Sequence, residues 1–218
     1  MDQIYTRSDS KVEVTGLEAR YYDLLMNTIT AGTYPVFIRN AIREMQIQPG
    51  DNILVFGAGT GRNMDLMDKY LSGKGRIVGL DVGPEMLEQA QRRFADHPYI
   101  TIKKQRIEEP LPYQGEFDKV FISFVLHGFV QEDRLKIIDT AQRALRPGGE
   151  FIILDYNEFD LKQSPWPVRF VFKMECPLAT DFIGRNLQTV LREQGFDGFR
   201  VHRHYLGYVR LLAARIAG

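Results

Sequence analysis

Three glycines at alternate positions are the first feature of this sequence that could serve chemistry. They lie in the segment GAGTG, residues 57–61, which follows a short apolar run and precedes a helical pattern. Because glycine has no Cβ and tolerates positive φ, a nucleotide-type ligand can approach the backbone of such a turn. The dinucleotide fingerprint places its third glycine one position later, where this chain has Arg62. The spacing therefore suits S-adenosylmethionine (SAM) better than the pyrophosphate of a dinucleotide.

An acidic residue, Asp81, ends the apolar run that follows the glycine turn. A carboxylate at the C-terminal end of a parallel strand lies beside the ligand crevice and can accept hydrogen bonds from both ribose hydroxyls. The alternative is that Asp81 caps the helix beginning near Pro84, as aspartates often do. Taken alone, Asp81 leaves both interpretations open. The glycine turn before it favours ribose binding.

Three further residues could act on a substrate proton. His127 follows the fourth predicted strand, and its imidazole titrates near neutral pH, as a general base should. The alternative is a histidine hydrogen-bonded to a loop carbonyl. Asp155 and Tyr156 end the fifth predicted strand and are second choices. The lone Cys176 is expected to be a packed thiol, and we expect no metal site.

Alternating strand and helix patterns position these residues and predict a parallel sheet with right-handed crossovers. The predicted strands are Asn52–Phe56, Arg76–Leu80 with Asp81 at its end, Ile100–Lys104, Lys119–Phe124, Phe151–Asp155, Phe199–Tyr205 and Tyr208–Ala214, the last two joined by a tight turn at Leu206-Gly207. We thus predict an α/β, Rossmann-like, mostly parallel seven-stranded sheet that ends in an antiparallel β-hairpin.

Helical patterns flank these strands within one predicted domain that spans residues 1–218. An N-terminal helical cap over about 16–48 holds one helix from Leu17 and another after Pro35. Further helices follow the glycine turn to about Leu71, begin at Pro84, and run over Asp133–Leu145 and from about Asp181 to Glu193. Residues 157–180 form an irregular, aromatic-rich insert on the substrate side.

The aromatic segment at 165–174, PWPVRFVFKM, has two competing interpretations. Its aromatic side chains could pack on the core. As a hypothesis, we instead treat the segment as an apolar lid over the acceptor pocket, because loops on a rigid sheet often carry specificity. Trp and Phe interleaved with Arg169 and Lys173 would also allow peripheral contact with an anionic membrane.

The overall composition narrows the partners. Lys plus Arg and Asp plus Glu each number 28, so the formal net charge is zero. Proteins that act on nucleic acid usually carry a basic excess, so we expect no nucleic-acid partner and a small-molecule or lipid-like acceptor instead. A single cysteine, no apolar run of about 20 residues and no signal-like N-terminus predict a cytoplasmic protein.

In order and spacing, four motifs resemble the class I SAM-dependent methyltransferases over roughly Asn52–Tyr156. They are GAGTG after a strand, GLDVGPEML, LPYQGEFDKVFISFVLH and ALRPGGEFIILD. The flanking segments YYDLLMNTITAG and GFRVHRHYLGYVRLLAARI look like the ubiquinone/menaquinone C-methyltransferases and their phospholipid N-methyltransferase relatives. The resemblance implies SAM as cofactor and methyl transfer to a quinol, phenol or lipid amine.

The same resemblance assigns cofactor-binding roles by position. It puts Gly57, Ala58 and Gly59 under the methionine moiety and ribose, Asp81 on the ribose, Val82 and Met86 beside the adenine, Arg106 or Ile107 at the adenine edge, Phe124 near the sulfonium, and Tyr21 or Tyr22 over the cofactor. His127 remains the candidate catalytic base.

Two other functions remain open, the first because of a departure from the family pattern. The family usually has an acidic residue two positions before the first glycine, where this chain has Val55. The chain could therefore be a SAM-binding protein without methyl transfer activity. The remaining alternative is a nicotinamide-dependent oxidoreductase, and Arg62 at the position of the third glycine argues against that function.

Overall fold

A computed structural model describes residues 32–217, and these form one seven-stranded sheet. The strand order is β3-β2-β1-β4-β5-β7-β6. The strands are β1 Asn52–Phe56, β2 Arg76–Asp81, β3 Ile100–Lys104, β4 Phe117–Ser123, β5 Leu145–Tyr156, β6 Phe196–His204 and β7 Val209–Ile216. The first five run parallel, while β7 is antiparallel to both β5 and β6. This architecture confirms the predicted fold class.

Helices cover both faces of the sheet. They are α1 Tyr34–Glu44, α2 Arg62–Leu71, α3 Pro84–Arg93, α4 Gln131–Ala144, α5 Trp166–Met174, α6 Pro177–Ile183 and α7 Leu187–Glu193. Short 3-10 turns occur at Leu126–Gly128, Leu161–Gln163 and Tyr205–Gly207. The first predicted helix, from Leu17, lies outside the described residues. Among the helices of residues 32–217, none combines the length and apolar character needed to cross a membrane.

The central strands have apolar side chains on both faces because both faces are buried, which is typical of a parallel sheet. On one face, Leu54 and Phe56 of β1 pack with residues of α4, α6 and α7. On the opposite face, Ile53 and Val55 pack with residues of α1 and α2. The two layers hold the C-terminal ends of β1 and β4 side by side.

The insert at 157–180 is more regular than its sequence suggests. It forms a 3-10 turn, all of α5 and the start of α6, so the prediction of an irregular segment is wrong. Both helices begin with proline in their first turn, where the missing N–H leaves no helical hydrogen bond unmade. Prolines in this insert therefore start helices.

The helix predicted from about Asp181 to Glu193 is in fact two helices. The first, α6, ends at Ile183, and α7 begins after Asn186, whose side chain accepts a hydrogen bond from the backbone N–H of Thr189. An asparagine in this position is a strong helix start signal. The cap at Asn186 therefore divides the predicted helix into α6 and α7.

Candidate active site

A cleft of about 1210 Å³ opens at the C-terminal ends of β1 and β4, where the strand order reverses. Ligands of open α/β sheets bind at such a switch point. Within residues 32–217, the cleft is lined by all the predicted cofactor-binding residues and by the first candidate base: Gly57, Ala58, Gly59, Asp81, Val82, Met86, Arg106, Ile107, Phe124 and His127. Tyr21 and Tyr22 lie outside the described residues. Val55 is buried in the core instead of lining the cleft.

The glycine turn approaches the loop after β4 closely. Gly57 has φ +69°, and a Cβ placed there would lie 2.6 Å from Cγ2 of Val125. Gly59 also has positive φ, and a Cβ there would meet no atom within 4 Å. The first glycine is thus required for packing between two loops. The second leaves open space above the backbone, the kind of cradle that a nucleoside needs.

The carboxylate of Asp81 organises the floor of the cleft. Its Oδ2 accepts a 2.7 Å hydrogen bond from the Gly59 N–H, and its Oδ1 accepts bonds from the N–H groups of Val82 and Gly83. A carboxylate offers about four lone-pair positions, so capacity remains for a ribose hydroxyl. Asp81 ties the glycine turn to the end of β2, a role that sequence reasoning did not anticipate.

The side of the cleft assigned to adenine is formed by buried apolar groups and one polar edge. Met86 and Ile107 are buried, and Val82 is half-buried beside them. Arg106 donates to Glu108 at 2.9 Å, so its guanidinium is held at the rim. Apolar walls with a few polar groups are typical of small-molecule sites, and these residues fit a nucleoside such as that of SAM.

Phe124 marks where β4 leaves the sheet. Its φ is +51°, a left-handed conformation that is unusual for an aromatic residue, and its N–H donates to the Leu154 carbonyl at 2.9 Å. The predicted strand end at Phe124 is therefore one residue too long. Such outliers occur often at functional sites, and this one turns the chain toward His127.

A buried carboxylate orients the imidazole of His127. Its Nδ1 lies 2.7 Å from Oδ1 of Asp155, and its backbone N–H donates to Oδ2 of the same residue. Asp155 is 1% exposed and is the penultimate residue of β5, beside the loop after β4. With the Nδ1 proton on the Asp155 bond, Nε2 of a neutral imidazole is an acceptor. The alternative of a histidine bonded to a loop carbonyl does not describe this contact.

Burial lowers the pKa of the His127 imidazole, but the carboxylates of Asp155 and Glu175 outweigh burial and raise it above 6.5. The positive charge of Arg134 lowers the pKa of His127. Its guanidinium donates to the His127 carbonyl and pairs with Asp181 at 2.6 Å. The imidazole therefore binds a proton readily within the cleft.

Sequence reasoning missed Glu175, which lies opposite Nε2 of His127 at 3.8 Å. The hydroxyl of Tyr156 donates to Oε1 of Glu175 at 2.6 Å, and the Cys176 N–H donates to Oε2. Ligand atoms of His127, Glu175 and Cys176 lie within 4.8 Å of one another, close enough to share a small bound group. The only sequence signal for Glu175 was its position just before Cys176-Pro177, at a helix start.

Comparisons with known proteins give matches to methyltransferases. Residues 53–149 match a family described as a methyltransferase domain. The chain is 29% identical to an uncharacterized methyltransferase of Synechocystis sp. over 86% of each chain. It is 30% identical to a demethylmenaquinone methyltransferase of Symbiobacterium thermophilum, over 64% of this chain and 56% of that protein, so it spans little more than half of that relative.

A solved structure shares the fold. The crystal structure of a SAM-dependent methyltransferase from Aquifex aeolicus aligns with a TM-score of 0.59 at 21% identity, over 83% of this chain and 89% of that one. Residues 53–149 thus match a methyltransferase domain, and the strand order and the glycine turn held by Asp81 give the chain the fold of this SAM-dependent methyltransferase.

Proposed function

We propose that this enzyme transfers a methyl group from SAM to a small or apolar acceptor, such as a quinol, a phenol or a lipid amine, that gives up a proton to His127. The observation that carries the proposal is one cleft with ligand-binding groups at one end and a candidate base at the other. One end has the glycine turn and Asp81, and the other has His127 backed by buried Asp155.

The nucleoside end is suited to hold the cofactor. Gly57, Ala58 and Gly59 would lie beneath it, Asp81 would accept from the ribose, Val82, Met86, Arg106 and Ile107 would surround the adenine, and Phe124 would border the sulfonium. When bound, SAM supplies an electrophilic methyl group. Positioning of the reactants then provides most of the catalysis, because the displacement is in line.

The catalytic end is suited to remove a proton. Asp155 fixes the ring of His127 so that Nε2 faces the carboxylate of Glu175 at 3.8 Å. A base that removes the acceptor proton is held within reach of the substrate and has a pKa near the working pH. His127 lines the cleft and its pKa is raised above 6.5, so we assign it as the general base and Asp155 as the residue that orients it.

Peripheral contact with a membrane is the second part of the proposal. Trp166, Phe170 and Met174 follow one another at four-residue intervals on α5 and are 72%, 57% and 66% exposed. Arg169 and Lys173 flank this apolar face on the same helix. A helix of this kind lies in the interface of an anionic bilayer, where an apolar acceptor would be found. The exposure argues against core packing of these side chains.

The experiment measures SAM affinity by calorimetry and S-adenosylhomocysteine formation with a quinol, a phenol and octylamine as acceptors. We expect product with at least one acceptor. Asp81→Ala should weaken SAM binding at least tenfold, because hydrogen bonds to a charged group contribute about 1.5–3 kcal/mol each. The matched control is Asp96→Ala, since Asp96 is exposed and outside the cleft.

Two results would contradict the proposal. Equal SAM affinity in wild type and Asp81→Ala would remove the ribose assignment. Tight SAM binding with no S-adenosylhomocysteine from any acceptor would favour a SAM-binding protein without methyl transfer.

A further inference from the structure

The acceptor end of the cleft contains a carboxylate whose role the methyl transfer scheme leaves unassigned. Within residues 32–217, each oxygen of Glu175 accepts one hydrogen bond, from the Tyr156 hydroxyl at 2.6 Å and from the Cys176 N–H at 3.4 Å. Its side chain is 29% exposed and lines the cleft. Because a carboxylate has about four lone-pair positions, Glu175 can accept further hydrogen bonds from a ligand.

The charges around this point are unequal. Of three carboxylates in this group, Asp155 and Glu175 face the imidazole, while Asp181 pairs with two guanidinium groups, those of Arg134 and Arg185. With a neutral imidazole, one negative charge is left over, and Glu175 carries it at the cleft surface. Coulomb interactions are strong in a partly buried site, so this excess selects the charge of the bound group.

The sign of the excess separates the candidate acceptors. A phenol or quinol that loses its proton becomes an oxyanion, which Glu175 would repel at a few ångströms. An amine arrives as an ammonium ion, which Glu175 attracts and to which it can accept hydrogen bonds. The rings of Phe124 and Tyr156 lie 5.9 Å apart beside the same point, and aromatic faces also favour cations.

We propose that the acceptor is an amine, held as its ammonium ion by Glu175 and deprotonated by Nε2 of His127. The proposal rests on the methyl transfer proposed above. The ammonium proton moves to Nε2, and the nitrogen lone pair forms the new N–C bond. The C–S bond breaks with its electron pair left on sulfur, so the products are a methylated ammonium ion and neutral S-adenosylhomocysteine.

The test compares octylamine with octanol, which share an alkyl chain and differ in head group. In calorimetry without SAM, the wild type should bind octylamine at least tenfold more tightly than octanol. Glu175→Gln should lower octylamine affinity about tenfold, the effect of removing one charged hydrogen bond, and leave octanol affinity unchanged. Glu193→Gln, an exposed substitution on α7, is the matched control. Turnover with SAM should yield methylated octylamine by mass spectrometry.

A second variant keeps the test open if Glu175→Gln does not fold. Tyr156→Phe removes only the hydroxyl that holds Glu175, and we expect octylamine affinity to fall by roughly threefold. Equal affinity for octylamine and octanol would overturn the amine assignment. So would octylamine binding that requires added Zn²⁺, because His127, Glu175 and Cys176 would then bind a cation.

The outcomes also separate this inference from the broader function. S-adenosylhomocysteine formed with a phenol or quinol, but not with octylamine, would overturn the amine and leave methyl transfer intact. No product from any acceptor would instead contradict the broader function, and the binding comparison would still decide whether the site selects an ammonium ion.

Discussion

At the residue scale, the protonation of His127 is controlled by the two carboxylates that face it. Burial alone would lower its pKa, yet Asp155 and Glu175 raise it above the ordinary 6.5. The base must be neutral to accept a proton, so activity should rise with pH as the imidazole loses its proton. The raised pKa puts the midpoint of this acid limb above pH 6.5.

We therefore predict that His127→Gln lowers turnover about 10²–10⁴-fold and removes the acid limb, while SAM affinity stays unchanged. The pH dependence of turnover, measured for wild type and variant, checks this. His97→Gln is the control, because His97 is outside the cleft. A variant with wild-type turnover would show that His127 serves the structure alone.

The residues of this site differ in how far the sequence could reveal them. Gly57, Gly59 and Asp81 belong to a local motif, so spacing alone was informative. His127 follows β4 and Asp155 lies near the end of β5, and only their position at strand ends suggested proximity. Glu175 could not be foreseen, because it lies between α5 and α6 and its place in the cleft depends on how these helices pack.

At the element scale, α5 combines a buried anchor with an exposed apolar face. Phe172 is 7% exposed and packs on Tyr156 and Phe159, with ring centroids 4.8 and 5.3 Å apart. Trp166 and Phe170 point away from that anchor and are mostly exposed. Their substitution should therefore alter surface binding without a large loss of stability.

We predict that Trp166→Ser with Phe170→Ser abolishes sedimentation with vesicles of phosphatidylglycerol and phosphatidylcholine and shifts the Tm little. Phe172→Ala is the contrast, because loss of a buried aromatic costs about 3–5 kcal/mol, or on the order of 10 °C in Tm. Binding should weaken with added salt, since Arg169 and Lys173 contribute. Vesicle binding that survives the double substitution would reject α5 as the membrane contact.

The elements were largely predictable from apolar runs. β1, β2 and β3 have the predicted bounds to within one residue, because each is a short run between turn signals. The insert was not predictable, because proline at 165 and 167 breaks a pattern in most contexts and starts a helix here. The packing of Phe172 on Tyr156 and Phe159 is a tertiary contact that favours this helix and that the local sequence does not reveal.

At the scale of the whole molecule, Glu150 links the parallel part of the sheet to its C-terminal hairpin. It lies on β5 and pairs with Lys119 of β4 at 3.1 Å, Arg200 of β6 at 3.0 Å and Arg215 of β7 at 3.2 Å. Burial raises its pKa, but Arg200 and Lys119 outweigh burial and lower the pKa to about 2. The carboxylate of Glu150 thus connects β5 with β4, β6 and β7 through ion pairs.

Because the folded pKa lies below the ordinary 4.5, the ionised carboxylate stabilises the fold above that pH, and the effect is lost as pH falls toward 2. We predict that Glu150→Gln lowers the free energy of unfolding at pH 7 by on the order of 3 kcal/mol. Urea unfolding from pH 7 to pH 3 should show the gap between wild type and variant narrowing. A gap that does not change with pH would contradict this.

The position of β7 in the sheet sets an order of events during synthesis. β6 emerges from the ribosome before β7, yet its only neighbour in the described sheet is β7, which lies between it and β5. Until β7 has been made, β6 has no partner strand, and the edge of β5 that β7 will cover stays unpaired. Completion of the sheet must therefore wait for residues 209–216, and the nascent chain carries an open β5 edge until then.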